Sequence, residues 1–149
     1  LFTRSESKVK EAKKQGADHV VISTDPEQME AVAETFDFML DTVPVQHDLN
    51  PYLNCLKFDG THILVGLLEP VDPALQAGQL VMKRRVLAGS LIGGMPETQE
   101  MLDFCGEHGI HCDVEMLDIK NINEAFERMK KGDVKYRFVI DMDTLKQSA

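Results

Sequence analysis

The chain has 149 residues, 43% of them apolar and 28% charged, with a net charge of -9, which suits one ordinary globular domain or part of a larger enzyme. The acidity opposes partnership with nucleic acid or an anionic membrane, since either would meet repulsion over much of the surface. No apolar run is long enough to cross a bilayer and no secretory leader is read at the start, so neither membrane insertion nor export is expected.

The chain opens on Leu1, inside an apparent strand whose end runs into Thr3-Arg4-Ser5-Glu6-Ser7-Lys8. In dinucleotide-binding βαβ units an acid at this point accepts the ribose 2′-hydroxyl. Here Thr3, Arg4, Ser5 and Lys8 stand in its place. Arg4 offers a 2′-phosphate a forked pair of donors, Lys8 a point charge, and the first turn after Ser5 its main-chain N–H groups. A solvated cap with scattered basic residues is the ordinary alternative. A helix is predicted over 5–15, stopped by Gly16, then a short apolar strand over 19–22. Asp25-Pro26 reads as an N-cap with proline in the first turn, giving a helix over 25–34. A strand over 36–42 follows.

Asp48 and Pro51 open a short helix ending near Lys57, and Asp59-Gly60 reads as a turn into a strand over 61–66. Asp72-Pro73 repeats the cap-plus-proline device, so a helix is expected from there toward 81–85, and a strand over 85–91 after it. His62-Ile63-Leu64-Val65 is almost wholly apolar without alternation, the pattern of a parallel sheet covered by helices on both faces. Helix and strand signals alternate throughout, as in an α/β protein.

Gly93-Gly94 breaks the pattern. Beyond it come an amphipathic helix over 96–108 with Met101, Leu102 and Cys105 on its apolar face and Gly109 as its stop, and a strand over 112–118. Asn121 caps a helix to 131 with Ile122, Ala125, Phe126 and Met129 on one side, and a last strand spans 137–141. This mixed segment is expected to pack on something other than the first sheet, and the last few residues to fray.

Three cysteines, Cys55, Cys105 and Cys112, are an odd set without Cys-x-x-Cys spacing, which points to a reducing, cytoplasmic setting. Cys105, His108, His111 and Cys112 cluster in sequence. They are not read as a metal site, because Gly106 and Gly109 interrupt them and structural zinc requires four ligands in a closed tetrahedron. His47, His62, His108 and His111 are read as solvated or hydrogen-bonded rather than as general bases.

Several motifs together resemble the zinc-dependent medium-chain alcohol dehydrogenases, in their NADP-dependent cinnamyl alcohol dehydrogenase-like branch. They are Met82-Lys83-Arg84-Arg85 leading to Gly89-Ser90-Leu91-Ile92-Gly93-Gly94, then Glu97-Thr98-Gln99-Glu100-Met101-Leu102-Asp103-Phe104-Cys105, and Ile122-Asn123-Glu124-Ala125-Phe126-Glu127-Arg128-Met129 continuing to Gly132-Asp133-Val134-Lys135-Tyr136-Arg137-Phe138-Val139-Ile140-Asp141. The resemblance covers essentially the whole chain. It implies an α/β, Rossmann-like doubly wound parallel sheet lacking its first strand and glycine-rich loop over 1–92, and a returning α+β segment of the catalytic domain over 93–149. The family's zinc ligands and proton relay match nothing in this sequence. The chain is therefore expected to be part of a longer protein, to bind no metal, to contribute no catalytic residue of its own and to be inactive alone. A sheet without its middle strand must pair directly across the gap, borrow a strand or leave edges open.

Ligands of open α/β sheets bind at the carboxyl ends of strands. Thr42 and Val43 stand at such an end, and the resemblance places them along the adenosine of NADP(H). Val65 and Gly66 end the next strand, where glycine admits a close approach to the nicotinamide ring. Ser90, Leu91 and Ile92 end the last, with main-chain groups of Ser90 and Ile92 implied for the carboxamide. Val43, Val65 and Ile92 read equally well as core residues, and Gly66 as a turn. Arg137 matches the family arginine that reaches the pyrophosphate; a surface cation is the alternative. The resemblance further implies a small alcohol or aldehyde substrate, zinc in the complete protein, and a homodimer paired through residues 80–91. A nucleotide-binding interaction module without chemistry and a zinc-free quinone reductase of the same superfamily are the competing readings.

Overall fold

Parallel strands joined by short helices run through the whole chain in the computed structural model, which describes residues 1–66 and 69–147. The chain divides into two units between Ile92 and Gly93. The fraying expected at the end falls on residues 148 and 149, outside the described residues.

The first unit contains β1 (Phe2–Thr3), a 3-10 turn (Glu6–Lys8), α1 (Val9–Lys14), β2 (Val21–Ile22), α2 (Pro26–Ala31), β3 (Phe36–Asp41), α3 (Asn50–Cys55), β4 (Leu56–Leu64), α4 (Ala77–Val81) and β5 (Val86–Gly89). The Asp25 cap works as its sequence suggests: the carboxylate accepts the amides of Glu27 at 3.0 Å and Gln28 at 3.3 Å. Gln28 then fastens α2 to the sheet, its amide group donating to Asp25 at 2.8 Å while its carbonyl accepts the Ile22 N–H at 2.9 Å.

Asp72-Pro73 does not start a helix, although it carries the same signal. Asn50 holds the following segment in a non-helical course, donating to the Ala74 carbonyl at 3.3 Å and accepting the Gln76 N–H at 2.8 Å, and the helix begins only at Ala77. Asp59-Gly60 makes no separate turn either. It lies within β4, with Asp59 at φ +61°, where the pairing jumps from Phe36 opposite Leu56 to Phe38 opposite Thr61. The extra residues bulge out of the ladder.

Among the described residues all strand pairs are parallel. β1 pairs with β2, while β3, β4 and β5 form a second sheet in that order. Among the described residues no ladder joins β1 to β3. In the doubly wound order the first strand lies between the second and the fourth. β1 and β3 take those two places, so the sheet of this Rossmann-like fold keeps its middle position open. Rings close over part of the gap: Phe2 meets Phe36 edge-on at 5.6 Å and Tyr52 at 5.4 Å, contacts that contribute about 0.5–1.5 kcal/mol each beyond their burial. Beside them lies the core of Met39, Leu53, Cys55 and Leu56, flanked by Met29, Val32, Leu75 and Leu80. The expectation of a sheet covered on both faces fails at β3, where Met39 and Asp41 are buried but Phe38 and Leu40 remain more than half exposed beside the gap.

The second unit holds α5 (Met95–His108), β6 (Val114–Asp118), a 3-10 turn (Ile119–Asn121), α6 (Ile122–Lys130), β7 (Arg137–Asp141) and a closing 3-10 segment (Met142–Gln147). α5 is bounded by local chemistry. The Gly94 N–H donates to Glu97 Oε2 at 2.7 Å, and Gly109, at φ +64°, ends the helix in the left-handed conformation that glycine adopts without steric cost. β6 and β7 pair in parallel from Val114 opposite Arg137 to Asp118 opposite Asp141.

Candidate functional site

A cavity of about 680 Å³ lies where β1 and β3 fail to pair. Its apolar wall comes from Leu1, Phe2, Phe36, Phe38, Leu40 and Tyr52. The facing wall comes from the carboxyl ends of the two strands: Thr3 at the end of β1 with Arg4, Ser5 and Lys8 beyond it, and Thr42, Gln46 and His47 after β3, with the apolar Val43 among them. Two groups that are far apart in sequence thus share one wall. Arg4 and Lys8 are exposed, and neither forms an ion pair among the described residues. Thr3 Oγ1 accepts the Ser5 N–H at 3.3 Å and keeps its own proton to donate, while Ser5 Oγ lies 2.7 Å from Ser7 Oγ. This set of two cations and two hydroxyls suits an anionic ester. The turn after Ser5 is 3-10, and the Ser5 side chain does not cap it.

The remaining candidates lie outside the cavity lining. Val65 donates its N–H to the Asp41 carbonyl at 2.9 Å, and Ser90 to the Leu64 carbonyl at 3.0 Å, so both extend the ladders of β3, β4 and β5. Gly66 does permit a close approach, and the backbone it admits is that of Thr42 and Val43. A Cβ at Gly66 would lie 2.7 Å from the Thr42 carbonyl oxygen and 2.9 Å from that of Val43. Val43 is 42% exposed and Ile92 86%, so neither is buried within this chain, and Leu91 is exposed as well. Arg137 opens β7 in the second unit with its side chain exposed.

Three residues that sequence reasoning did not place at the site form its most ordered part. Asp41, at the end of β3, accepts the Val43 N–H on Oδ1 at 2.9 Å. On Oδ2 it meets His47 Nε2 at 2.9 Å and His62 Nε2 at 3.3 Å. Burial alone would raise the Asp41 carboxyl, but the Val43 amide and the two histidines outweigh it and hold the group below the ordinary aspartate range. Burial pushes His62 below the usual imidazole value against the pull of Asp41, and its Nδ1 has no hydrogen-bond partner among the described residues. Both histidines are hydrogen-bonded, as read from the sequence. The strand-end rule that singled out Thr42 stops one residue short of Asp41.

The Cys105, His108, His111 and Cys112 group does not converge. His108 Nδ1 lies 3.0 Å from the Phe104 carbonyl, His111 Nδ1 3.1 Å from that of Gly109, and Cys105 Sγ contacts Met101 Sδ at 3.7 Å. Among the described residues no three His, Cys, Asp or Glu side chains are grouped to hold a metal ion. All three cysteines are free thiols. Among the described residues no helix is long and apolar enough to cross a membrane.

Comparison with known proteins sets these features in context. The chain is 54% identical over 144 residues to aldehyde reductase YahK of Escherichia coli K12, covering 97% of itself and 41% of that protein. It is 44% identical to the probable cinnamyl alcohol dehydrogenase 6 of Oryza sativa subsp. japonica, over 95% of itself and 39% of the relative. Among solved structures it superposes on the cinnamyl alcohol dehydrogenase SbCAD4 of Sorghum bicolor with a TM-score of 0.85 at 39% identity, covering 94% of itself and 40% of that chain. CAD from Helicobacter pylori complexed with NADP(H) gives a TM-score of 0.76 at 36% identity, over 95% of this chain and 40% of that one. The chain spans about two fifths of the length of these relatives. The zinc-binding dehydrogenase family model matches residues 1–107, and with the open Rossmann-like sheet and its basic strand end this shows that the chain belongs to the zinc-binding dehydrogenases.

Proposed function

We propose that this chain is the NADP(H)-binding portion of an alcohol dehydrogenase that interconverts primary alcohols and aldehydes. The observation that carries the reading is the shared cavity wall, where Arg4 and Lys8, two cations without ion-pair partners among the described residues, stand beside Thr3, Ser5, Thr42 and Val43. In this reading Arg4, Lys8, Thr3 and Ser5 hold the 2′-phosphate, and Thr42 and Val43 flank the adenosine. Val65, Gly66, Ser90, Leu91 and Ile92 face the nicotinamide end. With its N–H committed to Leu64, Ser90 presents its carbonyl to the carboxamide. When bound, the coenzyme would supply the hydride to the aldehyde in its reduced form and accept it from the alcohol in its oxidised form. Residues 93–149 are the returning segment of the catalytic domain, with Arg137 as the cation for the pyrophosphate.

The zinc that polarises the alcohol or aldehyde oxygen belongs, in this proposal, to residues outside the chain, which performs no turnover alone. Among the described residues β5 is an edge of its sheet, and Val81, Met82, Val86 and Leu91 around it are exposed, which supports a homodimer seam over 80–91; a cytoplasmic setting rests on the unpaired cysteine pattern alone. A monomer by light scattering at high concentration would refute that seam. The test of the coenzyme reading is the ratio of catalytic efficiencies with NADPH and NADH in the complete polypeptide that carries this sequence. NADPH should be preferred, and Arg4→Ala with Lys8→Ala should abolish the preference. Equal efficiency with both coenzymes in the unmutated enzyme overturns the phosphate site.

A further inference from the structure

We infer that Asp41 and His47 form a positioning pair that fixes the 42–47 loop on the cavity wall and thereby sets the affinity for the dinucleotide, without touching the reacting atoms. The inference rests on the coenzyme reading above and adds residues to it.

The loop is held from two sides. On one, Gly66 lies so close to the Thr42 and Val43 carbonyls that even a methyl group could not enter, and the Val65 N–H ties down the Asp41 carbonyl at 2.9 Å. On the other, Asp41 turns its own side chain forward to take the Val43 N–H, and His47 closes the loop as a staple. Its Nε2 lies 2.9 Å from Asp41 Oδ2 and its Nδ1 2.8 Å from the Val45 carbonyl, while Tyr52 meets the ring edge-on at 6.0 Å. The Thr42 and Val43 side chains are exposed above a backbone held at Asp41 and Val43 by hydrogen bonds. Prior ordering of this kind lowers the entropic cost of binding.

The pair also manages charge. Asp41 is a carboxylate on the wall of a cavity offered to an anion. Three donors, from Val43, His47 and His62, engage its two oxygens, so its negative charge is turned toward the protein. Removing His47 would both loosen the loop and leave that carboxylate less compensated beside the ligand.

The two nitrogens of His47 allow a selective test. Gln can place a donor near the Nε2 position and so keep the Asp41 contact, whereas Asn reaches only the Nδ1 position. In the complete polypeptide, His47→Leu and His47→Asn should weaken NADPH binding about tenfold, the loss expected for one hydrogen bond to a charged group, with kcat within about twofold. His47→Gln should restore most of the affinity. The Val43 amide should be protected from hydrogen exchange in the unmutated protein and lose that protection in Asp41→Ala. If the unmutated protein binds NADPH but all His47 variants bind alike, or Val43 exchanges freely, the positioning pair is wrong and the coenzyme reading stands. If the unmutated protein does not bind NADPH, the coenzyme reading fails and takes this inference with it.

Discussion

The two units solve the problem of order differently. In the first, Leu49, Leu53, Leu56, Cys55 and His62 are almost wholly removed from solvent, and α3 and β4 are defined by what they bury. In the second, Ala125 is the one buried residue among those described, while Met101, Leu102, Phe104, Phe126 and Met129 stay half exposed. Its elements rest on local devices: the Glu97 bond to Gly94, the Gly109 stop, and a polar network in which Arg128 reaches Glu115 at 2.7 Å and Asp133 at 3.1 Å and lies over the Phe138 ring at 4.8 Å. Helices and strands can therefore be specified without a core of their own, whereas cooperative stability requires one.

The sharpest way to break this comparison is a matched pair of truncations. Leu53→Ala should cost about 2–5 kcal/mol in urea unfolding, because it opens a cavity in a closed core. Phe104→Ala on α5, although it removes a larger side chain, should shift stability by no more than about 0.5 kcal/mol. Similar losses for both would mean that the second unit has a core after all.

Arg85 gives the next largest effect. Its guanidinium is buried, with backbone carbonyls for partners, at hydrogen-bonding distance from Leu56 and 3.3 Å from Lys57. Arg85→Met keeps the packing but removes the donors, and should destabilise by about 1–3 kcal/mol. An unchanged urea midpoint would show that water replaces the guanidinium and that this part of the first unit is not closed.

Acid should separate the units more gently. Burial holds His62 below its ordinary pKa, so its unfolded form takes up protons first. Its stabilising effect is complete above about pH 6.5 and declines as the pH falls below that value. Asp41, also held low, acts likewise below about pH 3.9. In the second unit Glu115, held low by the Lys135 amide and then by Arg128, becomes sensitive only near or below about pH 4.3. Residue-resolved hydrogen exchange between pH 7 and 5 should therefore show the first unit loosening while the second does not, and His62→Gln should flatten the response. The smallest effect belongs to the surface pair of Lys130 and Glu127 on α6, where Lys130→Ala should leave the unfolding midpoint unchanged.

The sequence made the order of elements legible because most of its signals are local. Asp25-Pro26 caps a helix with its own carboxylate, and Gly109 stops one with its own φ angle. Asp72-Pro73 misled because the groups that decide its course belong to Asn50, more than twenty residues earlier. The basic strand end was readable for the same local reason, since Thr3, Arg4, Ser5 and Lys8 are neighbours in the chain. The Asp41, His47 and His62 cluster was not. It depends on the register that pairs Met39 with His62 and Asp41 with Leu64, which places the second histidine on the same face as the carboxylate. That register follows from the bulge in β4, which no spacing in the sequence announces.

The ladder joining β1 to β2 is only two residue pairs long, yet the guanidinium and ammonium proposed for the coenzyme phosphate follow directly from its end. The proposed grip on the ligand is thus mounted on the shortest ladder among the described residues. Occupancy should be felt first as a quieting of Phe2, Thr3, Val21 and Ile22, so that coenzyme and this small ladder stabilise one another and the loss of either is registered at once by the other.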